Sequence, residues 1–159
     1  MLHIKLITVG NLKEAYLRAA VAEYEKRLGA YARVEIVERK EARVSENPSQ
    51  AEIDAALERE ADDILAQIPK RATVVALCVE GKQLSSEELA DTLADVMRES
   101  GELCLVIGSS HGLSPRVKQA ANLRLSVSRL TFPHQLMRVL LLETLYRSLS
   151  ILHGSRYHK

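Results

Sequence analysis

Short apolar runs alternate with longer segments of helical periodicity along nearly the whole chain. The first pair is an apolar run at residues 2–9, closed by Gly10, and a segment in which apolar side chains recur at helical spacing as far as Leu28. A strand followed by a helix, repeated along the chain, is typical of layered domains in which helices cover a largely parallel sheet. The alternation therefore predicts an α/β fold.

Further elements of both kinds follow in the same order. Strands are predicted at residues 33–38, 73–79, 103–107 and 123–127, and helices at 53–68, 85–97, from 114 and from about 133. Ser85 with Glu88 three residues later is a capping-box signature. The β-branched run 73–79 is apolar on both faces, which indicates a central strand. No linker interrupts the pattern, so residues 1–159 are predicted to form one domain.

The last predicted helix is apolar around nearly its whole circumference between residues 136 and 152. Such a helix must be buried on most sides, and a domain of 159 residues has little room for that unless a second copy covers one face. We therefore expect a homodimer that packs through this helix. A central core helix in a monomer is the alternative.

The same apolar run raises the question of a membrane span, but Arg138, Glu143 and Arg147 recur through it. The amino terminus has no signal-peptide pattern. These features indicate a soluble, cytoplasmic protein that does not enter a membrane. Cys78 and Cys104 lie in apolar strand-like runs and are expected to be buried, reduced thiols; a catalytic cysteine is the less favoured interpretation.

The two parts of the chain differ in charge although the net charge is only +1. Residues 101–159 carry eight Lys and Arg against two Glu, a formal charge of +6. Residues 1–100 carry 14 Lys and Arg against 19 Asp and Glu, a formal charge of −5. A basic segment can mark an anionic partner, and arginines that only solvate helix faces would give the same count. Both interpretations stand.

Three predicted loops lie at the carboxyl ends of strands, where parallel α/β sheets bind their ligands: residues 80–81, 108–112 and 128–132. Together they form the candidate pocket. Gly108 and Gly112 would let backbone N–H groups approach a ligand, but the spacing is neither that of a Walker A loop nor that of a dinucleotide-binding loop. A tight strand-to-helix turn explains these glycines at least as well.

The last four residues of the sequence are polar: Arg156, Tyr157, His158 and Lys159. They place hydrogen-bond donors, a cation and a titratable imidazole where another molecule could meet them. The five histidines have no metal-ligand spacing, so no metal site is expected.

Several motifs together identify a family. They are Ile107-Gly108 with Gly112, the run LSVSRLTFPHQ at 125–135, Met137-Arg138, Glu143, Leu145-Tyr146-Arg147, the terminal Tyr157-His158 and, nearer the amino terminus, Val9-Gly10, Lys13, Tyr24, Arg27-Leu28 and Gly81-Lys82. Through these residues essentially the entire chain resembles the RlmH family of SPOUT methyltransferases. One departure is Ser109, which stands where members of that family often carry a second glycine.

The resemblance implies a fold, a cofactor and a substrate. The fold would be a SPOUT domain whose parallel sheet ends in a trefoil knot, and the protein would be a homodimer that uses S-adenosyl-L-methionine. The substrate would be N3 of a pseudouridine in 23S rRNA, on assembled ribosomes. By position, the cofactor-binding residues would be Leu77, Gly108, Val127, Ser128, Arg129, Leu130, Thr131 and Phe132.

Methylation at N3 requires removal of a proton that lies between two carbonyl groups, so a base and hydrogen-bond donors are needed. We expect His158 to act as base or proton relay, Arg156 to stabilise an oxygen or contact phosphate, and Tyr157 to stack on the extruded base. The tail of one subunit is expected to close the cofactor pocket of the other. A SPOUT enzyme acting on tRNA and a nucleotide-binding module without catalysis are the alternatives.

Overall fold

A five-stranded sheet forms the centre of the protein, in a computed structural model that describes residues 1–158. The strands are β1 (Leu2–Val9), β2 (Ala32–Arg39), β3 (Thr73–Gln83), β4 (Glu102–Ile107) and β5 (Leu123–Ser126). Their order is β2-β1-β4-β3-β5, and every pairing between them is parallel. The predicted α/β fold with a parallel sheet is therefore confirmed.

Helices cover both faces of this sheet. They are α1 (Ala15–Leu28), α2 (Gln50–Gln67), α3 (Ser86–Glu99), α4 (Pro115–Ala120) and α5 (His134–Leu152). Alternate side chains of β1 point to opposite faces, so Leu6 packs in a core with α1, α3 and α5, whereas Ile7 packs in a second core with α2 and α4. Two hydrophobic layers therefore enclose the sheet.

The centre of the sheet is β4, not residues 73–79 as the sequence pattern predicts. Both β3 and β4 are inner strands with apolar side chains on both faces, because helices lie above and below them. Composition alone does not distinguish a central strand from its inner neighbour. Only the strand pairing, β1 to β4 and β4 to β3, settles the position.

Strand β3 pairs with β5 at two places. Leu125 is the partner of both Leu77 and Lys82, with a register shift between them. Gly81 lies so close to β5 that a Cβ atom there would be 2.8 Å from the carbonyl oxygen of Arg124. Between the two pairings, residues 78–81 of β3 form an irregular stretch opposite a single residue of β5. The trefoil knot stays a prediction.

Helix α5 packs against α1 and α3 along one face. Leu141, Leu142, Leu145 and Leu149 are fully buried there. Leu136, Val139 and Leu140 are only half-buried, so part of the apolar surface of this helix is not covered by its own chain. The predicted homodimer stays a prediction. Within residues 1–158, none of the helices is both long and apolar enough to cross a membrane.

Candidate functional site

A cavity of about 800 Å³ opens at the carboxyl ends of β4 and β5, beside the middle of β3. This volume lies in the range of small-molecule sites, roughly 300–1,000 Å³. The lining comes from residues 77–80 within β3, 107–113 around the end of β4, Lys118 of α4, residues 125, 127, 128 and 131–134 around the end of β5, and Met137 of α5. The loops that the sequence places after β4 and β5 therefore meet around one cavity. The predicted loop at 80–81 is wrong, because β3 continues through these residues to Gln83.

Six of the eight expected cofactor residues line this cavity. They are Leu77, Gly108, Val127, Ser128, Thr131 and Phe132. Arg129 and Leu130 do not line it; both are exposed, and Leu130 is one of the few large apolar side chains with most of its surface, 71%, in solvent. The loop after β5 therefore presents some residues to the cavity and others to the outside.

The loop after β4 is held by its own backbone. A Cβ atom at Gly108 would lie 2.2 Å from the carbonyl oxygen of Gly112, and Ser109 forms an isolated bridge with Gly112. Gly112 has a φ of +90°, which favours glycine. The tight turn and the cavity wall are thus the same structure, so the two interpretations of these glycines do not exclude each other.

Ser109 is nearly fully buried. Its hydroxyl accepts a hydrogen bond of 3.3 Å from the backbone N–H of His111. The hydroxyl also lowers the pKa of the buried carboxyl group of Glu60, although burial is the larger effect and raises that pKa overall. The Ser109 hydroxyl therefore stabilises the loop after β4 through contacts with His111 and Glu60.

Two serine hydroxyls shape the loop after β5. Ser126 Oγ donates to the carbonyl oxygen of Ser128 over 2.9 Å, and Ser128 Oγ accepts from the backbone N–H of Leu130 over 3.0 Å. Within residues 1–158 the backbone N–H groups of Thr131 and Phe132 have no protein acceptor. Free backbone donors at a cavity wall can bind the polar atoms of a ligand.

Helix α5 begins at His134, next to the residue where the sequence predicts its start. Pro133 occupies the N-cap position, and no side chain caps the helix. Thr131 lines the cavity.

One ion pair lies at the cavity. Lys118 donates to Glu80, and this hydrogen bond lowers the pKa of the Glu80 carboxyl group. Cys78, which also lines the cavity, is a free thiol whose pKa is raised by burial. A raised pKa keeps this thiol protonated, so nothing indicates a catalytic nucleophile.

Sequence reasoning missed several residues of the cavity wall. His134 and Met137 contribute from the first turn of α5, and Lys118 contributes from α4. A spacing of three residues at a helix start places His134 and Met137 on one face, which is the signal that could have found them. No local pattern identifies Lys118, because its position depends on how α4 packs beside β3.

The three tail residues lie away from the cavity of their own chain. Tyr157 Oη donates to Glu143 Oε2 over 2.9 Å, and His158 Nε2 lies 2.8 Å from Glu87 Oε1. Arg156 is exposed. The tail therefore folds back along α5 toward the start of α3, and none of its residues lines the cavity.

Four of the seven Lys and Arg side chains described after position 100 form intramolecular ion pairs. Arg116, Lys118, Arg138 and Arg147 pair with carboxylates. Within the described residues, Arg124, Arg129 and Arg156 form no ion pair and are exposed. These three cations are thus available to an anionic partner. Residues 1–158 contain no group of three His, Cys, Asp or Glu side chains that could hold a metal ion.

Comparison with known proteins gives a family match over nearly the whole chain. Residues 2–158 match the family described as predicted SPOUT methyltransferase. The chain is 48% identical over 160 residues to ribosomal RNA large subunit methyltransferase H of Bacillus pumilus (strain SAFR-032), covering 99% of this chain and 100% of the relative. It is 47% identical over 157 residues to the protein of the same name from Streptococcus thermophilus (strain CNRZ 1066), covering 98% and 99%.

Among solved structures, the chain is similar to a probable methylase family protein from Haemophilus influenzae Rd KW20. The TM-score is 0.53 at 13% sequence identity, with 99% of this chain and 70% of the other covered. At this identity the likeness concerns the fold alone.

Proposed function

Since this chain belongs to the SPOUT methyltransferase family, we propose that it transfers a methyl group from S-adenosyl-L-methionine to N3 of a pseudouridine in large-subunit ribosomal RNA. The observation that carries the proposal is the cavity at the carboxyl ends of β4 and β5, beside the middle of β3. Six of the eight residues that the family resemblance assigns to the cofactor line that cavity. The names of the relatives support ribosomal RNA as the substrate class.

The residues of the cavity suit this cofactor in size and chemistry. Leu77, Val127 and Phe132 offer apolar surface to an adenine ring. The free backbone N–H groups of Thr131 and Phe132 can donate to its polar atoms. The volume of about 800 Å³ accommodates a ligand of that size.

Bound S-adenosyl-L-methionine would supply an electrophilic methyl group on a sulfonium. The protein must then hold the acceptor nitrogen in line with that group and remove its proton, since N3 of pseudouridine bears hydrogen. His158 is the candidate base or relay, with Arg156 stabilising charge on the neighbouring oxygens and Tyr157 stacking on the base. Glu87, which lies 2.8 Å from His158 Nε2, can orient that imidazole.

We further propose that the tail acts in a homodimer, on the cavity of the partner subunit. Tyr157 is held beside Glu143. Glu143 lies six residues beyond Met137 of the cavity wall, a separation of about 9 Å along the axis of α5. The tail therefore does not serve its own cavity in this arrangement. The half-buried apolar side of α5, with Leu136, Val139 and Leu140, supplies a surface for a second copy.

Charge supports recognition of an assembled ribosome rather than of free RNA. The net charge is only +1, and phosphate contacts dominate nonspecific RNA binding, so affinity for free RNA should be modest. The exposed cations Arg124, Arg129 and Arg156 are few, which favours recognition by shape. A cytoplasmic location and the trefoil knot belong to the same proposal and stay predictions.

Methyl transfer from labelled cofactor to intact ribosomes, isolated rRNA and tRNA tests the proposal. We expect label on ribosomes, and less or none on the two free RNAs. Label on tRNA alone would support a tRNA-modifying SPOUT enzyme. Cofactor binding without label on any RNA would support a nucleotide-binding module, and either result overturns the proposed function.

A test of the shared active site mixes two inactive variants. One lacks residues 156–159, and the other carries Gly108→Arg, which fills the cavity. If the tail acts on the partner's cavity, mixed dimers contain one complete site and recover part of the activity. No recovery in dimers shown to be mixed would contradict the shared site.

A further inference from the structure

A buried cation lies in the early part of α5, next to the cavity. Arg138 is only 3% exposed, and its guanidinium reaches two other elements. Nη1 donates to Glu38 Oε2 at the end of β2 over 2.7 Å, and Nη2 donates to the carbonyl oxygen of Gly10 after β1 over 3.3 Å. One side chain thus ties α5 to the carboxyl ends of two strands.

The beginning of α5 has few other anchors. Leu141, Leu142 and Leu145 are fully buried and fix the middle of the helix. Before them, Arg138 is the first fully buried residue of α5, and the residues from His134 to Met137 are only half-buried. No side chain caps the helix start, and no acidic residue lies in the first turn. Loss of the Arg138 contacts should therefore loosen the first turn and leave the rest of the helix in place.

The turn that Arg138 holds forms part of the cavity wall. His134 and Met137, on either side of one helical turn, both line the cavity. Gly10, which accepts from Arg138, has a φ of +96°, and a Cβ atom there would lie 3.6 Å from His134 Nε2. The contact network around Arg138 is thus continuous with the wall of the cavity.

We propose that Arg138 is a positioning residue for the cofactor site. By joining α5 to Gly10 and Glu38, it holds His134 and Met137 at the distance from the loops after β4 and β5 that the cofactor requires. The guanidinium does not line the cavity. It acts through the first turn of α5. This inference rests on the proposed use of S-adenosyl-L-methionine.

Two variants and a matched control test the inference. Arg138→Lys keeps the charge but loses the planar fork that reaches both acceptors, and Glu38→Gln leaves the buried guanidinium without its carboxylate partner. The control is Arg39→Lys. Arg39 is adjacent to Glu38 in β2 and forms a half-buried ion pair with Asp63 at 2.8 Å, and it does not line the cavity.

The dissociation constant of S-adenosyl-L-methionine is measured by calorimetry, and the thermal midpoint of each protein is recorded. We expect about tenfold weaker binding for both Arg138→Lys and Glu38→Gln and less than about twofold change for Arg39→Lys. In turnover assays the KM for the cofactor should rise, whereas the KM for ribosomes should not. Because Glu38 is partly exposed, Glu38→Gln should fold even if the Arg138 variant does not.

Lowered thermal midpoints with unchanged cofactor affinity in both variants would mean that the contact is merely structural, and the inference would be wrong. If the unaltered protein itself does not bind the cofactor, the proposed function fails instead. The two failures are therefore distinguishable.

Discussion

Tyr157 donates a hydrogen bond from its hydroxyl to Glu143 Oε2 over 2.9 Å, and this bond attaches the carboxyl-terminal tail to α5 of the same chain. Arg147 strengthens the attachment, because it donates to the other oxygen of Glu143 and lies 4.6 Å from the centre of the Tyr157 ring. His158 follows directly and lies beside Glu87 of α3. Contacts with two helices of its own chain thus hold the tail in place.

Replacing Tyr157 with Phe should reduce turnover without weakening cofactor binding. The ring and its contact with Arg147 remain, whereas the hydrogen bond to the charged Glu143 is lost. Loss of such a bond should shift the equilibrium between the attached and the detached tail by roughly tenfold or more. Turnover on ribosomes and calorimetry with the cofactor measure the two effects. Tyr16→Phe is the matched control, since Tyr16 is 70% exposed on α1. Equal turnover of the two variants would contradict the role of this bond.

Gly108→Ala should damage both the fold and the cofactor site. The added Cβ would lie 2.2 Å from the carbonyl oxygen of Gly112, so the loop after β4 must open, at a cost of roughly 1–3 kcal/mol. Denaturant unfolding and cofactor calorimetry provide the readouts. Gly101→Ala is the control, because Gly101 has a φ of +71° but no neighbour within 4 Å of an added Cβ. We expect the control to lose about 1 kcal/mol or slightly more and to bind the cofactor normally.

The two cysteines should differ in reactivity, because only one lines the cavity. Cys104 is fully buried, and burial raises its pKa to about 11, so an alkylating reagent at pH 8 should not modify it in the folded protein. Cys78 is half-buried and should react slowly. Cofactor at ten times its dissociation constant should slow this reaction about tenfold. If the cofactor does not slow the modification of Cys78, the cofactor binds elsewhere. The Cys78→Ser variant shows how much label enters at other positions.

Glu60 should make the stability of the protein depend on pH. Its side chain is 6% exposed behind the loop after β4, and burial raises the pKa of its carboxyl group, although Ala42, Ser109 and His111 partly oppose this and Glu41 adds to it. A group whose pKa is raised in the folded state stabilises the protein fully at pH values below its pKa in the unfolded chain, about 4.3. This stabilisation is lost as the pH rises through the higher pKa of the folded state.

Glu60→Gln should therefore gain stability relative to the unaltered protein between about pH 4.5 and pH 7.5. Gln retains an oxygen that can accept from the backbone N–H of Ala42, which donates to Glu60 over 2.9 Å. Urea unfolding at the two pH values measures the difference. A difference that does not change with pH, or that changes in the opposite direction, would contradict the raised pKa.

Local sequence patterns predict the secondary structure well where burial alone decides it. Strand β1 was expected at residues 2–9 and occupies Leu2–Val9, because its apolar side chains face helices on both sides. Strand β3 continues beyond the predicted residue 79 to Gln83, since Lys82 and Gln83 pair with β5 after the register shift. That pairing joins segments more than 40 residues apart, and no local pattern signals it.

The candidate site was predictable to a similar extent. The rule that ligands bind at the carboxyl ends of parallel strands placed the loops after β4 and β5 correctly, because strand direction follows from the alternating order of strands and helices. It placed the third loop wrongly, since residues 80–81 lie inside β3. The partners of individual charged side chains were not predictable. Arg138 and Glu38 are 100 positions apart, and their contact depends on how α5 crosses the end of the sheet. The direction in which the tail folds was not predictable either, because it depends on the contacts of Tyr157 and His158 with Glu143 and Glu87.

Identification of the product nucleoside tests methylation of N3 of a pseudouridine in the large ribosomal subunit. Ribosomes that lack the modification are incubated with the protein and labelled cofactor, and the large-subunit RNA is digested. The nucleosides are then separated and identified by mass spectrometry. We expect the label to co-elute with 3-methylpseudouridine. Label in 1-methylpseudouridine, in another nucleoside, or in none would contradict it.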